Sequence, residues 1–360
     1  MINETHGADI YSAAEKSGTD KDKIIDFSSN INPLGMPDSV RKAAINSIFN
    51  SHKYPDINSR ELVRSISREE GVPDKWIFPS NGAAESIYRI VQYLSSLEHL
   101  KGLVTAPAFS EYESALKSSG AQVIYYNLKE EQNFEISDDI TDYINEGIKI
   151  VFLCNPNNPT GQLTDKETMQ KIIRHCKQAG ALVVIDECFL DFTENKQELS
   201  TVNLLGKYDN LIVLKAFTKI YAIPGIRLGY CMCSDEKLIE GLKSSGPPWN
   251  VSSIAQSAGV AALDEKGYVA KTAVYVKEQR MYLSEELRKL NVKVYDSHAN
   301  YILFKLYENI DLKKELLKKN ILIRSCSNYK NLDGSYYRIA VKTARENKLL
   351  IKAVKEITGR

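Results

Sequence analysis

Leu211–Tyr230 reads LIVLKAFTKIYAIPGIRLGY, and the fold of this chain is decided there. An apolar run, Leu211–Leu214, ends in Ala216-Phe217-Thr218-Lys219, and a second run begins at Leu228, just after Arg227. A lysine beside a buried strand holds its proton less firmly, and so can serve as an amine nucleophile. The same texture repeats on the amino-terminal side. Apolar runs at Gly102–Ala106, Gln122–Tyr126, Ile148–Cys154 and Ala181–Ile185 alternate with amphipathic stretches such as Ala84–Leu97 and Asp165–Ala179, and Leu228–Met232 follows. Strand runs alternating with helices predict βαβ units and a mostly parallel, buried sheet. In such sheets ligands sit at the carboxyl ends of the strands.

Two more strand ends carry polar groups. Ile148–Cys154 empties into Asn155-Pro156-Asn157-Asn158-Pro159-Thr160-Gly161, an irregular turn in which Asn158 presents an amide. Ala181–Ile185 ends in Asp186-Glu187, where a buried carboxylate requires a partner. Asn158, Asp186, Lys219 and Arg227 therefore offer an amide, an anion, an amine and a guanidinium. Pyridoxal phosphate needs that set: a Schiff-base lysine, an acid against the pyridine nitrogen, a polar contact to the phenolic oxygen, and a cation for the phosphate.

After Gly246-Pro247-Pro248 the pattern changes. Helical stretches Ser252–Asp264 and Tyr268–Leu290 precede short apolar runs at Val292–Tyr295, Tyr301–Leu306 and Ile321–Arg324, broken by a basic helix, Leu312–Lys319. The expected division is an N-terminal arm with part of the small domain over 1–40, a large cofactor-binding domain over 41–247, and a small α+β domain over 248–360. Lys313, Lys314, Lys318 and Lys319 read as a solvated helix face.

Composition narrows the function. The 360 residues carry 47 Lys+Arg against 46 Asp+Glu, a net charge of +1, which argues against a nucleic-acid or anionic-membrane coat. No apolar run approaches the roughly 18 residues of a membrane span. The opening Met1–His6 has neither the basic nor the apolar region of a signal peptide. Six cysteines are scattered, and the lone Cys231-Met232-Cys233 lacks a second pair to complete a metal cage. A cytoplasmic enzyme with reduced thiols and no metal is expected.

Asn158-Pro159-Thr160-Gly161 with Asp186, Lys219 and Arg227 resembles the class I/II aminotransferase superfamily of fold-type I pyridoxal-phosphate enzymes. The resemblance implies that Lys219 forms the Schiff base, Asp186 holds the pyridinium, Asn158 bonds the phenolic oxygen and Arg227 binds the phosphate. It also implies that Thr218 contacts the cofactor beside the lysine. Asn81-Gly82-Ala83-Ala84-Glu85 resembles the helix-opening turn that cradles the same phosphate. Phe109 matches the aromatic stacked on the ring, and Tyr54 matches the tyrosine reaching the cofactor phosphate of the neighbouring subunit. That last match implies a homodimer with shared active sites.

A narrower resemblance runs along nearly the whole chain. His6-Gly7, Asp26–Gly35, Pro248-Trp249, Ala299-Asn300-Tyr301, Ile323–Cys326 and Tyr336–Val341 are similar to the threonine-phosphate decarboxylases of the cobalamin pathway. Histidinol-phosphate aminotransferases share much of this framework and supply the alternative activity. The resemblance implies a small phosphorylated amino acid as substrate, bound by His6, Asn32, Asn158, Arg324 and Arg338, with Lys342 as a further helper. Arg338 matches the carboxylate-binding arginine and Arg324 is the candidate for the phosphate, an assignment that can be exchanged. Three positions depart from the common patterns. Ala8-Asp9 follows Gly7, Ala216 stands where a phosphate-binding serine is common, and Phe189 replaces a tyrosine found in many aminotransferases. Phenylalanine at that last position favours a decarboxylase.

Overall fold

The computed structural model describes residue 7, residues 9–97 and residues 99–359. In chain order the strands are β1 (Ile25–Asp26), β2 (Ile77–Ser80), β3 (Lys101–Ala106), β4 (Gln122–Asn127), β5 (Ile150–Cys154), β6 (Leu182–Asp186) and β7 (Leu211–Ala216). There follow β8 (Gly229–Met232), β9 (Lys293–Val294), β10 (Tyr301–Lys305), β11 (Ile321–Leu322), β12 (Arg324–Ser325) and β13 (Tyr336–Ala340). The central sheet has seven strands in the order β2-β8-β7-β6-β5-β3-β4. β3, β4, β5, β6 and β7 pair in parallel, whereas β8 runs antiparallel to both β2 and β7. Six strands thus deliver their carboxyl ends to one edge, and β8 delivers its amino end there. The α/β class and mostly parallel sheet expected from sequence are present.

The apolar runs are continuous because the sheet is covered on both faces. Val151, Leu153, Val183, Ile185 and Val213 pack with Ile172 and Ile173 of the helix Lys166–Gln178. The alternate residues Ile150, Phe152, Val184, Ile212 and Leu214 pack with Ile87, Ile90 and Leu94 of the helix Ala83–Leu97. Successive side chains on a strand point to opposite faces, so no position between the two cores needs to be polar.

A second, four-stranded antiparallel sheet, β12-β13-β10-β9, is built from residues beyond 290. The sequence run Ile321–Arg324 divides between two sheets, since β11 pairs in parallel with β1 while β12 joins β13. Phe27 lies on the seam, with its N–H donating to Leu322 O (2.8 Å) and its carbonyl accepting from Ala340 N (2.8 Å). The segment after it, residues 28–32, is thereby laid between the second sheet and the loop that carries Lys219.

Candidate active site

Lys219 sits on a one-turn helix, Phe217–Ile220, that starts where β7 stops. Phe217 and Ile220 are buried and anchor the turn, and the Lys219 carbonyl accepts from Asn32 N (3.1 Å). Burial, followed by the positive charge of Arg338, pulls the Lys219 amine down to about 8 from an ordinary 10.5. Asp186 closes β6 with both carboxylate oxygens held: Oδ1 accepts from Cys188 N (2.9 Å) and Oδ2 from the Tyr112 hydroxyl (2.6 Å). Burial and the adjacent Asp186 push the Tyr112 hydroxyl well above its usual range, so it stays a proton donor to that carboxylate.

The second sheet supplies the cations. In the β12–β13 ladder Arg324 stands opposite Arg338, and both are 5% exposed. Residues directly opposite in an antiparallel pair share one face. Arg338 donates to Asn158 Oδ1 and to Ser28 O (2.8 Å), and its guanidinium lies 5.5 Å from the Tyr301 ring centroid. Arg324 donates to Asn328 Oδ1 (2.9 Å) and lies 5.5 Å from the ring of Tyr329. Among the described residues, Arg338 Nε and Asn30 Oδ1 are buried with no partner. Unpaired buried polar atoms cost on the order of 1–3 kcal/mol each, which a ligand can recover.

At the amino end of β8 two glycines permit close approach. A Cβ on Gly229 would lie 2.5 Å from Ala83 N, and a Cβ on Gly82 would lie 2.6 Å from Arg227 Nη2. Both contacts are far inside van der Waals distance, so the helix start Gly82-Ala83-Ala84, β8 and the Arg227 guanidinium meet only because side chains are missing. First-turn N–H groups of a helix have no intrahelical partner, and here a guanidinium faces them across space for an anion.

Sequence comparison gives this geometry its family. Residues 22–354 match the family described as aminotransferase class I and II. The chain belongs to that family. Among curated aminotransferase-family relatives, it is 36% identical over 359 residues to threonine-phosphate decarboxylase of Salmonella typhimurium, covering 99% of this chain and 97% of the relative. Among solved structures, it superposes on L-threonine-O-3-phosphate decarboxylase from Porphyromonas gingivalis with a TM-score of 0.83 at 25% identity, covering 93% of this chain and 99% of that one. It also superposes on the histidinol-phosphate aminotransferase of Clostridium acetobutylicum, with a TM-score of 0.86 at 33% identity and coverage of 92% and 98%.

Within the aminotransferase-family fold, one cavity of about 360 Å³ gathers most of the residues singled out from sequence. Lys219, Asp186, Asn158, Thr218, Phe109 and Arg227 line it, as do Gly82, Ala83, Ala84, Arg324 and Arg338. Phe189 also lines it, edge-on to Tyr301 at 5.0 Å, so its ring presents no hydroxyl there. Of the other expected residues, three lie outside this cavity and one outside the described residues. Asn32 does not reach the cavity: its Nδ2 is taken up by Ile220 O (2.6 Å), Thr272 Oγ1 (2.9 Å) and Tyr268 Oη (3.0 Å), and its Oδ1 by Leu34 N (2.9 Å). It braces the Lys219 turn. Tyr54 is 80% exposed, its ring tilted against that of Trp249 with centroids 4.7 Å apart, and is not part of the cavity of its own chain. Lys342 is likewise outside the cavity lining. His6 lies outside the described residues.

Sequence reasoning missed Asn30 and Tyr112. Asn30, two residues before Asn32, is the one of the pair that lines the cavity. Tyr112 follows Phe109 by three residues on the helix Ser110–Ser118, so a ring placed over the site implied a second ring one turn behind it.

Proposed function

We propose that the chain decarboxylates a phosphorylated amino acid: L-threonine O-3-phosphate to 1-aminopropan-2-ol O-2-phosphate, or L-serine O-phosphate to ethanolamine phosphate, for the nucleotide loop of a cobamide. The observation that carries the reading is the pair Arg324 and Arg338, two buried guanidiniums on opposed positions facing the cavity of Lys219 and Asp186. Two fixed cations suit one small molecule with two anionic ends. The likeness to threonine-phosphate decarboxylases and Phe189 in place of a tyrosine favour decarboxylation over transamination.

Pyridoxal 5'-phosphate fits the residues present. Gly82 and Gly229 bring the helix start and the Arg227 guanidinium together at the cavity wall, a donor set that suits a phosphate, Asp186 keeps lone pairs for a ring N–H, and Asn158 Nδ2 has no partner among the described residues. When bound, the cofactor supplies an electron sink for the pair released as the bond from Cα to the carboxylate breaks. The chain's own groups do the rest. Arg338 holds the carboxylate and Arg324 the phosphate, which fixes the direction in which the carboxylate leaves. Asn30 and Asn158 add hydrogen bonds at the same wall. With its amine near 8, Lys219 exchanges a proton readily at neutral pH and returns one to Cα after carbon dioxide departs.

In this reading residues 41–247 form the cofactor unit, and residues 248–360 with part of 1–40 supply the substrate arginines. The enzyme works in the cytoplasm, in keeping with six free buried cysteines, and no described helix is long and apolar enough to cross a membrane. It works as a homodimer in which Tyr54, remote from its own cavity, completes the site of the other subunit.

The test is reaction outcome. Threonine phosphate alone is expected to release carbon dioxide with no 2-oxoglutarate present, and unphosphorylated threonine to react far more slowly, since the phosphate supplies orienting binding energy. Consumption of histidinol phosphate only with 2-oxoglutarate, and no carbon dioxide from either phosphoamino acid, would replace this reading with the transaminase one.

A further inference from the structure

A second cavity, larger than the one that Lys219 lines, lies beside it. A groove of about 570 Å³ runs between the helix Ile10–Ser17 and the helix Leu312–Leu317. It meets the active-site cavity at Gly7, Ser28 and Arg324, which line both. Its walls carry Lys16, Lys313, Lys314 and Lys318 against two carboxylates, Asp9 and Asp311. Exposed lysines of this solvated helix face also line the groove. Lys319 turns away to pair with Glu356 (2.7 Å), and Lys318 is pinned by Glu315 (2.7 Å), but Lys314 is exposed and has no side-chain partner among the described residues. The smaller cleft that also reaches Arg324 is lined by one glutamate, Glu113, and one lysine, Lys330, and has no such excess of charge.

We infer that this groove is an anion-collecting vestibule, which captures the phosphate end of the substrate and passes it inward to Arg324. The inference rests on the proposed function only in taking the substrate to be phosphorylated. A phosphate monoester carries about −1.5 to −2 charges at pH 7, and a cleft with an excess of the opposite charge raises its encounter rate, by up to about 10–10³-fold at low salt where a single sign lines the cleft. The Debye length shrinks from about 30 Å at 0.01 M to about 8 Å at 0.15 M ionic strength, so the gain belongs to association and fades with salt.

The experiment is stopped-flow binding of threonine phosphate to the cofactor-loaded protein, followed by the cofactor's absorbance, from 0.01 to about 0.3 M ionic strength. The double variant Lys16→Glu, Lys314→Glu is expected to lower the association rate about tenfold at low salt and to flatten its salt dependence, with the dissociation rate little changed. The double variant Lys348→Glu, Lys352→Glu, an equal charge change at two exposed helix positions outside the groove, is expected to keep the parent rate. An unchanged association rate in the groove variant, or an equal loss in Lys348→Glu, Lys352→Glu, overturns the vestibule. Should threonine phosphate bind and not be decarboxylated, the function reading fails and the vestibule is still judged on these rates. Should it not bind, histidinol phosphate serves as the probe with the same expected and contrary results.

Discussion

Lys215 and Lys219 lie one turn of chain apart and meet opposite fates. Lys215 is on β7 itself, on the side of the sheet away from the cavity, with Nζ 2.8 and 3.0 Å from the two carboxylate oxygens of Glu70 and 4.0 Å from Glu187. Glu187 in turn accepts from Thr201 N (2.6 Å), Thr201 Oγ1 (2.7 Å) and Ser200 Oγ (2.7 Å). Burial alone would lower the Lys215 amine, but Glu70, Glu187 and Asp191 outweigh it and hold the proton on well above the ordinary range. Around Lys219 the balance is reversed: burial, Arg338 and Arg227 outweigh Cys188 and Asp26 and bring the amine to about 8. Burial is common to both lysines, so the sign of the neighbouring charges decides which is a strut and which is a reactive amine.

The largest expected break in this comparison is Lys219→Ala. Turnover should fall by several orders of magnitude, measured as carbon dioxide release, with the thermal midpoint held, because among the described residues the amine makes no hydrogen bond that folding would lose. Near-parental turnover would mean that the wrong lysine has been chosen. Lys215→Met should do the reverse. Leaving Glu70 and Glu187 buried without their cation is expected to cost about 3–5 kcal/mol in denaturant unfolding, while the surviving folded enzyme keeps its turnover. A loss below about 1 kcal/mol would show that the network does not bear on stability.

The smallest effect sharpens the contrast rather than breaking it. In the cofactor-free protein, Lys219 labelling by an amine reagent should rise with a midpoint near pH 8. Arg338→Gln removes a positive charge that disfavours the ammonium, so the midpoint is expected to move upward by about half to one pH unit. The linked stability has a fixed sign. Between about 8 and 10.5 the unfolded chain binds the Lys219 proton and the folded one does not, so this group's contribution rises with pH across that window. Lys215, shifted the other way, contributes fully below 10.5 and loses its contribution only as pH climbs through its raised folded value.

Much of this was legible in the sequence because the sheet is buried on both faces. Uninterrupted runs such as Val183–Ile185 leave polar residues nowhere to go but the strand ends, and Asp186, Asn158 and Lys219 stand there. What escaped was set by contacts far away in the chain. Asn30 and Asn32 are chemically alike, and only the seam at Phe27 decides which faces the cavity and which braces Lys219. The carboxylate partner of Tyr112 is 74 residues distant. The reversed direction of β8 was not legible either, because the connection Phe217–Leu228 has the dozen residues that a parallel crossover also uses.

That reversal governs which kinds of change the gene can tolerate here. The amine and the guanidinium opposite Gly82 hang from one eight-residue span, anchored at Phe217 N to Leu228 O (3.1 Å) and by the Ala216–Gly229 pairing. Their separation is metered by backbone length, not by how two units happen to pack. Letters within Ile220–Ile226 can be exchanged wherever the turn is kept, but an inserted or deleted residue shifts one end relative to the other. The connection Ala179–Ala181, at the opposite edge of the same sheet, answers to no such ruler.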